Sequence, residues 1–220
     1  MIVSKSLARL SAVSFIIIAF CNTARAEEVL ITLKDANGQV VKNTVVTVFG
    51  QDLTAMPAEA EPTIKQENKQ FTPHIKIVPI GAEVNFPNLD SVQHHVYSFS
   101  EAKTFELALY DNSSKSTVVF DTGGIVEMGC NVHDWMLGYV YVTDAPVYGK
   151  TDDDGQLRLS LPLGSYSLKT WHPRLKNEDI DRVIDLSVKE PSQEVVVMLK
   201  NELLPDELKY EEDYDFDDYE

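Results

Sequence analysis

The run Gly129-Cys130-Asn131-Val132-His133-Asp134-Trp135-Met136 carries a thiol, an imidazole and a thioether within seven residues. Thirty-six residues before the cysteine stand two more imidazoles, His94 and His95. Two imidazoles and a thiolate in one plane, with a weak axial thioether, are the donors of a type 1 (blue) copper site. The soft sulfur donors favour Cu(I) and the imidazoles also stabilise Cu(II), so such a site passes single electrons with little rearrangement. Cys130, His133 and Met136 are therefore expected ligands, together with one member of the histidine pair. Adjacent residues of a strand point to opposite faces, so only one of His94 and His95 can face the metal, and the alternation leaves both open. Taken singly, each residue has an ordinary use: a buried thiol, a core-filling methionine, a loop histidine. Their spacing makes them a set.

Other metal chemistries fit less well. Structural zinc takes Cys and His ligands alone, and one thiol is too few for its usual sites. Covalent haem attachment needs a second cysteine ahead of the histidine, which Cys130-Asn131-Val132-His133 lacks. Five histidines cannot supply the extra clusters of a multicopper oxidase. His74 and His172 lie outside the cluster and are expected to be structural, His172 with a place near a docking surface as its alternative use. No Ser-His-Asp set, paired catalytic carboxylates or phosphate loop stands out, so the expected role is a single-electron carrier rather than a stand-alone enzyme.

The chain opens with Lys5 and Arg9, an apolar stretch from Ala12 to Phe20, and Ala24-Arg25-Ala26. That order reads as a secretory signal peptide over residues 1–26, and no later apolar run approaches the ~20 residues needed to span a bilayer. The mature protein is expected in the periplasm without a transmembrane segment. Cleavage removes Cys21 and leaves Cys130 as a lone thiol in an oxidising compartment, where it must be buried or bound to something. The formal charge is −16, and the signal takes with it three cations and no acid. Nucleic acid is thereby an improbable partner, whereas a basic-surfaced redox protein (a cytochrome c, a dehydrogenase or an oxidase) is a plausible one. Residues 205–220 hold nine acids against Lys209 and read as an acidic disordered tail.

The elements that must position these ligands read almost entirely as strands. Val29–Leu33, a turn at Asp35–Gly38, then Val40-Val41 and Thr44–Val48 form strand, turn and strand. Gln51–Gln66, with Pro57 and Pro62, reads as a linker. Strand signals resume at Ile75–Val78, Glu83–Phe86, His95–Phe99, Phe105–Leu107, Val118–Phe120, Ile125–Met128 and Gly138–Val142. Beyond the turn Thr151–Gly155, Leu157, Leu159 and Leu161 alternate, followed by Ser167–Trp171 and Glu194–Leu199. Short strands at regular spacing indicate β-sandwiches. The Cys–His–Met loop thus joins two strands, and the histidine pair enters a third.

Two resemblances refine this. The strings VPIGAEVNFPNLDSVQHHVYSF and VFDTGGIVEMGCNVHDWMLGYVYV resemble the two halves of a cupredoxin, with the Cys-x2-His-x2-Met spacing of amicyanin. That resemblance implies a Greek-key β-sandwich over residues 62–145 holding one type 1 copper for electron transport. Aligned on Val96 with the His-Asn-Val of cupredoxins, it implies His94 as the ligand and sets His95 where an asparagine usually braces the cysteine loop. It also implies that Trp135 and Leu137 collar an exposed His133. The strings ITLKDANGQVVKNTVVTV and TDDDGQLRLSLPLGSYSLKTWHP resemble the two parts of a carboxypeptidase-regulatory-like (Ig/transthyretin-like) β-sandwich, implying a host at 27–56 and 146–204 into which the cupredoxin is inserted. The whole resembles periplasmic proteins labelled methylamine-utilisation proteins. The expected fold is all-β: a cupredoxin sandwich plus an Ig/transthyretin-like sandwich. Two rival functions remain at this point: periplasmic Cu(I) delivery or storage, and an interaction module with a vestigial copper site.

Overall fold

The computed structural model describes residues 27–113, 116–180 and 182–205, so the signal-peptide and acidic-tail expectations lie outside the described residues. The strands run β1 (Glu27–Lys34), β2 (Val45–Phe49), β3 (Lys65–Glu67), β4 (Gln70–Thr72), β5 (Ile75–Pro79) and β6 (Ala82–Asn85). They continue as β7 (His94–Ser100), β8 (Lys103–Tyr110), β9 (Thr117–Phe120), β10 (Gly124–Cys130) and β11 (Leu137–Thr143). The last are β12 (Val147–Lys150), β13 (Gln156–Leu161), β14 (Gly164–Trp171), then helix α1 (Asn177–Ile180), β15 (Ile184–Val188) and β16 (Gln193–Met198). Among the described residues, no helix is long and apolar enough to cross a membrane.

The strands pair in two sets. In one, a sheet ordered β13-β1-β16 faces a sheet ordered β12-β2-β14-β15. Val29, Ile31 and Leu33 alternate inward along β1 and meet Val46, Val48 and Leu168 across a common core. In the other, a sheet ordered β5-β11-β10-β7-β8 is opposed by the pairs β6-β9 and β3-β4. Its core gathers Phe71, Val84, Phe86, Val96, Phe120, Met128 and Val140. Both sets are β-sandwiches, and the described residues are all-β but for one turn of helix.

The two sandwiches touch through strands buried on both faces. Val46 and Val48 of β2 face their own core, whereas Val45 joins Ile75, Tyr139 and Trp171 in a third apolar cluster. On β11, Val140 and Val142 point into one core and Tyr139 and Tyr141 point away from it. Trp171 meets Tyr139 edge-on at 5.4 Å and Tyr141 at 5.6 Å between centroids. Aromatic pairs in this geometry add stabilisation beyond their buried area. Continuous apolar runs such as Val45-Val46 are what double-sided burial demands.

Several sequence expectations change. The turn after β1 forms, with the Asp35 carboxylate accepting the N–H groups of Asn37 and Gln39 and Gly38 at a φ of 79°. The hairpin expected from it shrinks to a single bridge, Lys34 to Val40, because β2 crosses to the opposite sheet. The linker ends earlier than Gln66: Ile64 and Gln66 are fully buried, and β3 and β4 form a hairpin. The strands β3, β4, β12 and β15 were not expected; each is three to five residues long.

Trp171→Ala is expected to lower unfolding free energy by about 3 kcal/mol, the scale for emptying a buried aromatic site. Urea denaturation of the variant beside the parent measures this. An unchanged midpoint would show that the contact between the sandwiches is not stabilising.

Candidate metal centre

The donors are brought together by one antiparallel strand pair and one loop. On β10, Cys130 is the last residue, and its register partner on β7 is Val96. Side chains two apart on a strand share a face, so His94, which opens β7, points the same way as Val96 and lies beside Cys130. The chain then turns tightly. His133 N–H donates to the Cys130 carbonyl at 3.4 Å, Met136 N–H donates to the His133 carbonyl at 2.9 Å, and β11 begins at Leu137.

The geometry is compact. Nδ1 of His94 lies 3.7 Å from Sγ of Cys130, and Nδ1 of His133 lies 3.8 Å from the same sulfur. All three donor atoms fall within 4.8 Å of one another. Ligands at ordinary nitrogen and sulfur bond lengths of ~2.0 and ~2.3 Å, spread at about 120°, stand about 3.7 Å apart. Each imidazole Nδ1 therefore stands from the thiol sulfur at the separation that two ligands of one metal ion have. His94 is fully buried, Cys130 is 3% exposed, and Met136 is 1% exposed in the same apolar cluster as Cys130 and Met128. Among the described residues, this is the one group of three or more His, Cys, Asp or Glu side chains arranged to hold a metal.

His95 faces away. Its Nε2–H donates to Glu106 at 2.8 Å on the outer side of the sheet, while its buried Nδ1 has no partner. It does not brace the cysteine loop as an asparagine there would. Behind that loop, the ring of Tyr97 covers Gly129, where an added Cβ would come within 2.9 Å of it. Gly129 thus lets β7 and β10 close up next to the thiol.

His133 is the ligand-set residue nearest the surface. Burial and the neighbouring His94 hold its ring below the ordinary histidine range, so it is a neutral donor at neutral pH. Trp135, about half exposed, lies edge-on to it at 5.4 Å. The expected collar is half right: Leu137 packs instead against the Val45–Ile75–Tyr139–Trp171 cluster. His74 lies outside the site, with Nδ1 at 3.0 Å from the Leu137 carbonyl and its ring edge-on to Tyr139. At His172, Nδ1 accepts the N–H of Arg174.

Sequence reasoning missed Asp90. Its Oδ2 accepts Nε2–H of His94 at 2.8 Å, and its carboxylate also accepts the N–H groups of Asn68 and Lys69. Burial works against its charge, but those two N–H groups and the His94 ring together hold its carboxyl below the usual range. An acid four residues ahead of a candidate ligand was the one available signal.

No family model matches the chain, and none of the curated proteins does. Among solved structures, a purple cupredoxin from Nitrosopumilus maritimus aligns at 23% identity over 38% of this chain and 100% of its own, with a TM-score of 0.34. A reduced, Cu(I) form of an amicyanin variant aligns at 16% identity over 44% of this chain and 98% of its own, with a TM-score of 0.36. A copper-containing nitrite reductase from Thermus scotoductus aligns at 18% identity over 44% of this chain and 25% of its own, with a TM-score of 0.37. It is the strand pairing within the chain, not these likenesses, that makes the fold a pair of β-sandwiches.

In an NMR titration of the metal-free protein, His133 is expected to titrate below 6.5, the ordinary histidine value. An unfolded chain binds that proton at higher pH, so this residue's contribution to stability is expected to fall as pH drops below 6.5 through the native value. Titration at or above 6.5 would show that the ring is not desolvated.

Proposed function

We propose that this chain is an exported copper-binding electron-transfer protein with one type 1 copper held by His94, Cys130, His133 and Met136. The observation that carries the reading is the convergence of two imidazole Nδ1 atoms on one buried thiol at 3.7 and 3.8 Å. A single thiol with two imidazoles is the donor set that suits copper in both oxidation states, and the thioether of Met136 adds the weak soft donor. When bound, copper supplies one reversibly exchanged electron at a site that needs no bond made or broken in a substrate.

The chain's own residues supply the rest. His94, Cys130 and Met136 are anchored at strand ends inside an apolar core, which fixes donor positions and keeps water away. His133, beside the half-exposed Trp135, is the ligand side chain with an edge toward solvent, and partner contact belongs there. Burial of the other donors favours a carrier over a Cu(I) delivery protein, which must open its ligands to exchange metal. The net negative charge favours a basic-surfaced redox partner. The strand pairing supports a further part of the proposal: a cupredoxin domain at 62–145 inserted into a carboxypeptidase-regulatory-like host at 27–56 and 146–204. The leader-like residues 1–26 support a periplasmic location.

Adding Cu(II) to purified mature protein is expected to give an intense visible band near ~600 nm, the signature of a thiolate–copper bond in a blue site. Cys130→Ala is expected to abolish it. Copper bound with no such band, or taken up only as Cu(I), would overturn the carrier reading in favour of delivery.

A further inference from the structure

Behind the donor atoms lies a polar network whose purpose packing alone does not explain. His94 is fully buried, and its two ring nitrogens point to two different groups: Nδ1 to the Cys130 sulfur at 3.7 Å, Nε2 to Asp90 Oδ2 at 2.8 Å. The Asp90 carboxylate is already an acceptor twice over. Oδ1 takes the N–H of Asn68 at 2.8 Å and Oδ2 takes the N–H of Lys69 at 2.9 Å. A carboxylate that accepts from two backbone donors has only lone pairs to offer the ring, so Nε2 must carry the hydrogen. In the neutral ring this leaves the lone pair of Nδ1 facing the thiol.

The carboxylate is itself held in place. Asn68 and Lys69 form the turn of the β3–β4 hairpin, both at left-handed φ values of 56° and 57°. Asn88, nearly fully buried, accepts the N–H of Asp90 with its side-chain oxygen. With its amide it donates to the carbonyls of Val92 and Tyr110. Leu89 N–H donates to the Gln66 carbonyl and Gln66 N–H to the Pro87 carbonyl, which ties the Asp90 loop to β3. A turn and a loop from separate parts of the chain therefore converge to hold one negative charge on the far side of one ligand ring.

We infer that Asp90 is a positioning residue for the metal centre: it fixes His94 as the Nε2–H tautomer and, by drawing on that proton, makes Nδ1 a stronger donor that favours the more highly charged state of a bound metal. A carboxylate behind a ligating imidazole acts this way in metal sites generally, where its loss changes metal affinity 10–100-fold. The tuning half of this inference rests on the copper reading above; the tautomer half does not.

Asp90→Asn retains the side-chain shape and removes the charge. Its preference for Cu(II) over Cu(I) is expected to fall about tenfold, a rise in reduction potential of ~59 mV for one electron. The control is Asp121→Asn, which removes an equal charge from an exposed carboxylate of the same sandwich that pairs with Lys103. A potential in Asp90→Asn no higher than in Asp121→Asn would overturn the tuning role. The second measurement needs no variant, so it stands even where Asp90→Asn fails to fold. Nitrogen-15 NMR of the metal-free parent protein, read on the neutral His94 ring, is expected to show the hydrogen on Nε2 and Nδ1 bare. A neutral ring with its hydrogen on Nδ1 would overturn the positioning role outright. Failure of the parent protein to take up copper would overturn the function proposed above and the tuning with it, while the tautomer still decides the positioning.

Discussion

One buried thiol sets the terms for the metal centre. Cys130 sits at the end of a strand in an apolar core, its side chain almost wholly buried. Two imidazoles close on it from different elements, one from the neighbouring strand and one from the loop that follows. The antiparallel register that sets Val96 opposite Cys130 also brings His94 beside the sulfur. Gly129 permits the close approach, since any side chain there would strike Tyr97. The same strand ends that make the sandwich therefore bring the thiol and the two imidazoles together.

The surroundings divide the labour around that centre. The Asp90 loop and the β3–β4 turn hold the buried His94 ring from behind, and the short Cys–His–Met loop places Cys130 and His133 in front of it. The second sandwich covers the outer face of β5 and β11 through Trp171 and Val45, away from His133. Covering these two of the sheet's five strands also shields the aromatic face of Tyr139 and Tyr141, which alone would be an exposed apolar patch.

How much of this was legible depends on range along the chain. Cys130, His133 and Met136 could be found because their spacing is local and their chemistry distinctive. The strands β1, β10 and β11 could be found because one residue in two faces a core. The choice between His94 and His95 followed from alternation plus resemblance, and the structure sets His94 against the thiol and His95 against Glu106. Asp90 was not legible, because its role depends on a hairpin turn twenty-odd residues earlier whose two strands, three residues each, are too short to show a period in the sequence. The partners of β1 were equally hidden: the turn at Asp35–Gly38 is genuine, yet the following strand joins the other sheet. Leu137 was assigned to the wrong side, because the packing of Trp171 against the outer face of β11 is a contact between the two sandwiches.

X-ray absorption at the copper edge of the loaded, mature protein tests the central claim most directly, since it reports the atoms bonded to the metal. The account predicts one sulfur at short distance together with two imidazole nitrogen shells, in both oxidised and reduced protein. A first shell of nitrogen and oxygen alone, with no sulfur, would contradict it.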